Sequence, residues 1–356
     1  MKIFQSVDNP YASVNQYVMT LMDGINCHTD NVEWGWGIES FWKLDIFNYD
    51  IIHIQWPHAL LLENRTSCQL DSRLDKLKKA GKKIIATCHN LEPHYCNNPE
   101  YHNAYSVVYK RADMIIHLGT YSFENLSKQF HSAEHVILPH HVYDTFYKKF
   151  PDKPECCEKL KIKNSSEYIL CFGAFRDVEE KKLALSVADY CRGKNLYVLA
   201  PSFKQTPHGS RYSRFKQYIK ERLLNSGNRI ICHGYANNCI PNELTPYYFG
   251  ASSIILIQRK QLLNSGNITL AFLMGKVVVG PDIGNVGQIL KDTGNPTFDV
   301  SDDNSIITAI QAAFNLAKEN HGIINKEYAL KHLSTDIISE RLYNYYVSLQ
   351  HNCRQQ

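Results

Sequence analysis

Residues 254–281 read Ile-Ile-Leu-Ile-Gln-Arg-Lys-Gln-Leu-Leu-Asn-Ser-Gly-Asn-Ile-Thr-Leu-Ala-Phe-Leu-Met-Gly-Lys-Val-Val-Val-Gly-Pro. A short apolar, β-branched run ends near Gln258, a polar loop follows, and an apolar helix opens at about Asn267. Gly275 stops that helix ahead of a second run, Val277–Val279, as a glycine just past a helix end does. Strand, helix and strand in so short a span is the repeating unit of a parallel sheet.

The same alternation extends in both directions. Toward the C terminus come helical Ile306–Asn320 and Asp336–Leu349, the latter with Leu342, Tyr345, Tyr346 and Leu349 at helical spacing. Toward the N terminus, strands Tyr168–Phe172, Leu196–Ala200, Arg229–Cys232 and Ser253–Ile257 alternate with helices Lys181–Arg192 and Ser213–Ser226. Residues 151–166 are polar and carry two prolines, which reads as a linker. Before it, strands Lys2–Val7, Ile51–Gln55, Lys83–Cys88, Met114–Leu118 and His135–Leu138 alternate with helices Val14–Gly24, Leu70–Gly81 and Ala104–Ala112. The expectation is two Rossmann-like domains, 1–150 and 167–335, and a final helix within 336–356.

A chain of 356 residues is about twice the usual domain size, which agrees. Its 44% hydrophobic and 21% charged residues are ordinary for a globular protein. No apolar run approaches a membrane span, and the start, MKIFQSVDNPY, lacks a signal-peptide core, so a cytoplasmic protein is expected. The eleven cysteines include no CxxC pair and read as reduced thiols. A net charge of +4 is unevenly spread, with Lys76, Lys78, Lys79, Lys82 and Lys83 in one cluster and Lys204, Arg211, Arg214, Lys216, Lys220 and Arg222 in another. Two readings are open: a solvated helix face, or contact with phosphate or, peripherally, with anionic lipid headgroups. No nucleic-acid module accompanies the charge, so nucleic acid is not an expected partner.

In open parallel sheets ligands bind at the carboxyl ends of the strands, so function is sought there. Asn264, Ser265 and Gly266 occupy a helix entrance, either as an anion site with Asn267 or as simple caps. Arg259 and Lys260 precede them, and Gly173, Arg176 and Lys181 follow the run Ile169–Phe172. In the first half, three strand ends carry histidine and proline: Trp56-Pro-His58, His89-Asn90-Leu-Glu92-Pro-His94, and Pro139-His140-His141. Imidazoles there suit sugar hydroxyls, phosphate or proton transfer. His131-Ser-Ala-Glu-His135 has a zinc-peptidase spacing, but that motif needs a helix and His135 opens a strand, so no metal is expected.

These stretches resemble, in order, bacterial GT-B glycosyltransferases of the large retaining family 4-like group, especially those that build capsular and exopolysaccharides. The matching segments are Asp50–Pro57, Thr87–His94, Ile137–His140, Phe172–Arg176, Ile240–Ala251 and Asn264–Pro281. The resemblance implies two domains facing across a cleft, with the C-terminal helix, 336–356, packing back on the first; the first binds the acceptor and the second a nucleotide sugar, UDP- or GDP-linked, with no other cofactor. It places Gly173, Arg176, Lys181, Arg259, Asn264, Ser265, Gly266 and Asn267 at the donor diphosphate. Trp56, His58, Asn90, His94 and His140 fall on the acceptor side, where a glycan or lipid-linked saccharide would bind. His89 stands near the transferred sugar, and His89 and Glu92 are the candidate bases if the enzyme inverts. The chain departs from the pattern: Leu262 and Leu270 stand where typical members carry two glutamates, and Ser6–Tyr11 replaces a glycine-rich loop. Competing readings are a sugar-nucleotide epimerase of the same fold, which would want carboxylates in the donor loop, and a non-catalytic two-lobed sugar-binding protein.

Overall fold

The computed structural model describes residues 1–62, 64–93, 98–203, 229–235 and 239–351. Through residue 145 the chain forms β1 (Lys2–Gln5), α1 (Tyr17–His28), β2 (Glu33–Trp36), β3 (Ile51–Ile54), α2 (Ser67–Lys79), β4 (Lys83–Cys88), α3 (Pro99–Arg111), β5 (Met114–His117), α4 (Thr120–Leu126) and β6 (Glu134–Ile137). These six strands make one parallel sheet in the order β2-β1-β3-β4-β5-β6. Beyond residue 145 come α5 (Lys153–Leu160), β7 (Glu167–Leu170), α6 (Val178–Tyr190), β8 (Leu196–Leu199), β9 (Ile230–Ile231), α7 (Thr245–Ala251), β10 (Ile254–Leu256), α8 (Gly266–Leu273), β11 (Val277–Pro281), α9 (Gly284–Asp292), β12 (Thr297–Phe298), α10 (Asp303–Lys318), α11 (His321–His332) and α12 (Thr335–His351). Their strands make a second parallel sheet, β12-β11-β10-β7-β8-β9.

The chain divides into two compact units. Unit 1 comprises Met1–Thr145, Leu262–Asn264 and Leu333–Gln356, and unit 2 comprises Phe146–Gln261 and Ser265–His332. In unit 1 the inner strands β3 and β5 are buried on both faces, which is why they read as unbroken apolar runs. Ile52, Ile54, Ile84, Ala86 and Ile115 pack against Leu70, Leu74 and Leu77 of α2 and Ala104 and Val108 of α3. The opposite face, Ile3, Ile51, Ile85, Met114 and Ile116, is covered by Leu21, Met22 and Ile25 of α1 and Ile338, Leu342, Tyr346 and Leu349 of α12. Each such fully buried aliphatic side chain contributes about 1.5–3 kcal/mol. The two covering helices approach closely at Gly24, where a Cβ would stand 2.6 Å from Ser339 Oγ. In unit 2, Ile169, Val198, Ile254 and Val277 pack against Leu183 and Val187 of α6 and Ile306, Ile310 and Ala313 of α10.

The stretch expected as a linker, 151–166, contains α5. Asp152 caps it through the Glu155 N–H, Pro154 sits in the first turn where its missing donor does no harm, and Cys156, Cys157 and Leu160 are buried. The sequence reading passed over β2, whose Glu-Trp-Gly-Trp has no β-branched residue, and also α4, α7, α9, α11 and β12. The helix expected at Ser213–Ser226 and the basic cluster 204–222 lie outside the described residues. Among the described residues no helix is long and apolar enough to cross a membrane.

Each sheet has one place where the strand order reverses. In the first it lies between β1 and β3, because β2 adds on one side of β1 and β3–β6 on the other. In the second it lies between β7 and β10. Connections leave such a point in opposite directions, which opens a crevice beyond the carboxyl ends of the two strands.

Candidate functional site

In unit 2 the crevice is walled by the loops after β7 and β10. Gly173 holds φ +92°, a conformation that L side chains rarely adopt. A Cβ built on it would meet Arg259 Nη2 at 3.6 Å and Asn267 Nδ2 at 3.9 Å, so the glycine forms the floor of a notch between a guanidinium and an amide. Both groups are tied to the same loop: Arg259 Nη2 donates to the Ala174 carbonyl at 3.3 Å, and Asn267 Nδ2 to the Phe172 carbonyl at 3.0 Å. Glu180, only 1% exposed, accepts the Arg176 backbone N–H at 2.8 Å, and its Oε1 lies 4.0 Å from Arg259 Nε. Its own N–H donates to Asp177 Oδ1, which caps α6.

Ser265 occupies the N-cap position of α8, but its hydroxyl makes no capping bond, and the first turn carries no acidic residue. Simple capping therefore does not account for the Asn-Ser-Gly entrance. The helix start, with Gly266 in its first turn, keeps the partial positive charge that attracts anions. Arg176 is exposed on the Gly173 loop, and Lys181 is half-buried on α6. Lys182, the alternative to Lys181, is exposed and paired with Glu179 at 2.7 Å.

Asn264 belongs elsewhere. It lies in unit 1, where its Nδ2 donates to the His89 carbonyl at 2.8 Å and the Cys88 carbonyl at 3.3 Å. Its side chain thus steadies the chain after β4.

In unit 1 the crevice between β1 and β3 opens into a cavity of about 370 Å³ lined by Ser6, Asp8, Asn9, Asn15 and Trp56 among others. The Trp56 indole stacks on His89, with ring centroids 4.6 Å apart and planes 19° apart. Tyr17 meets His89 edge-on at 5.0 Å and also touches His140 at 4.7 Å. His89 Nε2 lies 2.8 Å from Gln55 Oε1. An amide oxygen only accepts, so Nε2 carries the proton and Nδ1 is the acceptor nitrogen. Burial, reinforced by His140 and His53, holds the His89 imidazole well below its ordinary range, so it is neutral near pH 7. Burial likewise lowers His140 to about 4, against a weaker opposing bond to the His141 carbonyl.

Trp56, His89 and His140 are therefore joined by ring contacts, Trp56 to His89 and both histidines to Tyr17, and other expected residues do not join them. His58 turns toward α3, bonding Tyr105 OH through Nδ1 at 3.0 Å and stacking on that ring. Asn90 is buried, with its carbonyl accepting from Tyr109 OH at 2.9 Å. Glu92 is 73% exposed at its side chain and faces His102 at 3.3 Å, apart from this group. His94 lies outside the described residues. His135 lies in β6 and bonds His117 and the Phe130 carbonyl. Of the first lysine cluster, Lys78 pairs with Asp113 and Lys79 with Asp75. The sequence reading missed Glu180, Tyr17 and Gln55. Only Glu180 had a local signal, the capping pattern Asp177-x-x-Glu180.

No protein-family model matches the chain, and no curated protein matches it significantly in sequence. Solved structures do match it in fold. Sucrose-phosphate synthase from Thermosynechococcus elongatus superposes with a TM-score of 0.75 at 14% identity, covering 99% of each chain. HepE of Anabaena in complex with UDP and glucose gives 0.70 at 14% identity over 98% of this chain and 100% of that one. UDP-GlcNAc 2-epimerase from Neisseria meningitidis bound to UDP-GlcNAc gives 0.63 at 13% identity, over 98% and 100%. At such identities the likeness is one of fold, and it extends over the whole chain: two six-stranded parallel sheets flanked by helices, in the α/β class of GT-B glycosyltransferases.

Proposed function

We propose that this chain is a glycosyltransferase that moves a hexose from a nucleoside diphosphate sugar, UDP- or GDP-linked, to a glycan or lipid-linked saccharide in surface-polysaccharide synthesis. The observation that carries the reading is the notch at Gly173, where Arg259 and Asn267 are pinned to one loop at the point of strand reversal. A diphosphate leaving group gains negative charge as the glycosyl bond breaks. Arg176, Arg259, Lys181 and the start of α8 would offset that charge, single contacts of this kind being worth roughly 3–4 kcal/mol. The neighbours of like fold that hold UDP, UDP-sugars or glucose support the reading.

In unit 1, a neutral His89 backed by Trp56 suits a hydrogen bond from a sugar hydroxyl to Nδ1, and its low basicity disfavours the role of general base. Glu92, exposed and facing His102, is not retained as a base. Since Lys78 and Lys79 are already paired, membrane contact through the lysine cluster forms no part of the proposal.

The test is ligand protection followed by turnover. UDP or GDP at millimolar concentration should raise the melting temperature by mass action. A panel of nucleotide sugars should then release nucleotide faster when an acceptor saccharide is present. No melting shift with either nucleotide would overturn the assignment. Conversion of the sugar without any acceptor would instead favour an epimerase, the activity named for one neighbour of like fold.

A further inference from the structure

Behind His89 a chain of buried polar groups runs through the first sheet. Gln55 Oε1 accepts from His89 Nε2 at 2.8 Å, and Gln55 Nε2 donates to Gln5 Oε1 at 2.9 Å. Gln5 Nε2 donates to Tyr346 OH at 3.2 Å. That hydroxyl lies 2.6 Å from His53 Nδ1, and His53 Nε2 lies 2.7 Å from Thr87 Oγ1. Gln5, His53, Gln55, Thr87 and Tyr346 are each at most 2% exposed. They come from β1, β3, the residue just past β3, β4 and α12.

With the Gln5 and Gln55 amides oriented as they stand, donor and acceptor rules fix the direction of the other links. Tyr346 OH receives the Gln5 amide hydrogen and has one proton, which it gives to His53 Nδ1. Burial keeps His53 neutral, lowered to about 3, so its remaining proton sits on Nε2 and goes to Thr87. With its nitrogen committed to the phenol, the Gln5 amide can only offer its oxygen to Gln55. Gln55 in turn can only offer its oxygen to His89. Reversing one link would set two like groups face to face in a region closed to water, and the desolvation penalty opposes it.

We propose that Tyr346, on the last helix, is a positioning residue that fixes the Nε2–H tautomer of His89 through Gln5 and Gln55, so that Nδ1 meets the substrate. The functional half of this inference rests on the glycosyltransferase reading; the tautomer half does not. Tyr346 is fully buried, and its effect reaches His89 through three hydrogen bonds, while its bond to His53 holds the phenol proton.

The test uses the full chain labelled with 15N-histidine, with the His89 ring signals identified by their loss in His89→Gln. The wild type should show a single neutral Nε2–H form at His89. In Tyr346→Phe the Nδ1–H form should become populated, and kcat should fall about tenfold with nucleotide affinity unchanged. If Tyr346→Phe does not fold, Gln55→Met decides, because it removes the acceptor beside His89 at nearly constant volume and should give the same shift. A His89 that keeps its tautomer in both variants overturns the proposal, as does a shifted tautomer with kcat intact. Failure of UDP or GDP to bind, with the tautomer shift present, would overturn the glycosyltransferase reading and leave the network assignment standing.

Discussion

Replacing Gly173 by alanine separates stability from binding in unit 2. The nearest atoms to the new methyl, Arg259 Nη2 at 3.6 Å and Asn267 Nδ2 at 3.9 Å, are at ordinary contact distance, so there is room for it. The penalty comes from the backbone: φ +92° costs an alanine roughly 1–2 kcal/mol. That lowers the melting temperature of a unit this size by roughly 2–8 °C. The methyl also occupies the space a phosphate oxygen needs if it is to approach both nitrogens at about 2.7–2.9 Å. Losing one charge-assisted contact is worth roughly 1.5–3 kcal/mol, or about a ten- to hundredfold rise in Kd. At a UDP concentration of 100 wild-type Kd, the ligand stabilises the wild type by about 2.7 kcal/mol. With Kd raised a hundredfold, the stabilisation falls to about 0.4 kcal/mol. Thermal unfolding of both proteins with and without UDP reads this directly. A ligand-induced rise of equal size in Gly173→Ala and the wild type would refute the placement of the diphosphate in the notch.

Arg176→Ala removes an exposed guanidinium from the same loop, so initial rates should fall about tenfold or more. Its melting temperature without ligand should stay near that of the wild type, and unchanged rates would remove Arg176 from the site. Unit 1 should also be acid-sensitive, because burial holds His53 and His117 down to about 3 and His140 to about 4. Folded values below the unfolded value of about 6.5 mean that this stability is complete above pH ~6.5 and drains away as pH falls toward 3–4. All four tryptophans, Trp34, Trp36, Trp42 and Trp56, lie in unit 1, so urea unfolding followed by tryptophan fluorescence isolates it. A midpoint that does not move between pH 7 and pH 4 would contradict the buried neutral histidines.

The alternation of strand and helix was legible because parallel strands buried on both faces leave apolar runs that no local polarity interrupts. Lys83–Cys88 is recovered to the residue, and most other strands to within one or two. What escaped was structure whose stabilisation is tertiary. β2 pairs with β1 through backbone groups that any residue carries, and α5 hides two buried cysteines in a polar stretch. At the candidate site, the position of Gly173 and Arg176 after β7 and of Arg259 after β10 was readable. Asn264 was not, since its partners lie about 175 residues earlier in the chain. Tyr346 read as one more apolar position of the last helix. The hydroxyl that turns it into part of a polar relay has no signature in helical spacing.

The threading of unit 1 has a consequence for its birth on the ribosome. Five β-strands contribute Ile3, Ile51, Ile85, Met114, Ile116 and Val136 to a surface that α12 helps to roof, and that helix is translated after the whole of Phe146–His332. At about 5–20 residues per second, the nascent sheet waits roughly ten to forty seconds with that surface only partly shielded by α1. Holdase chaperones that favour aliphatic patches would find their client in this interval. Slowing translation between the two segments should lower the soluble yield of the chain more than slowing it after residue 351.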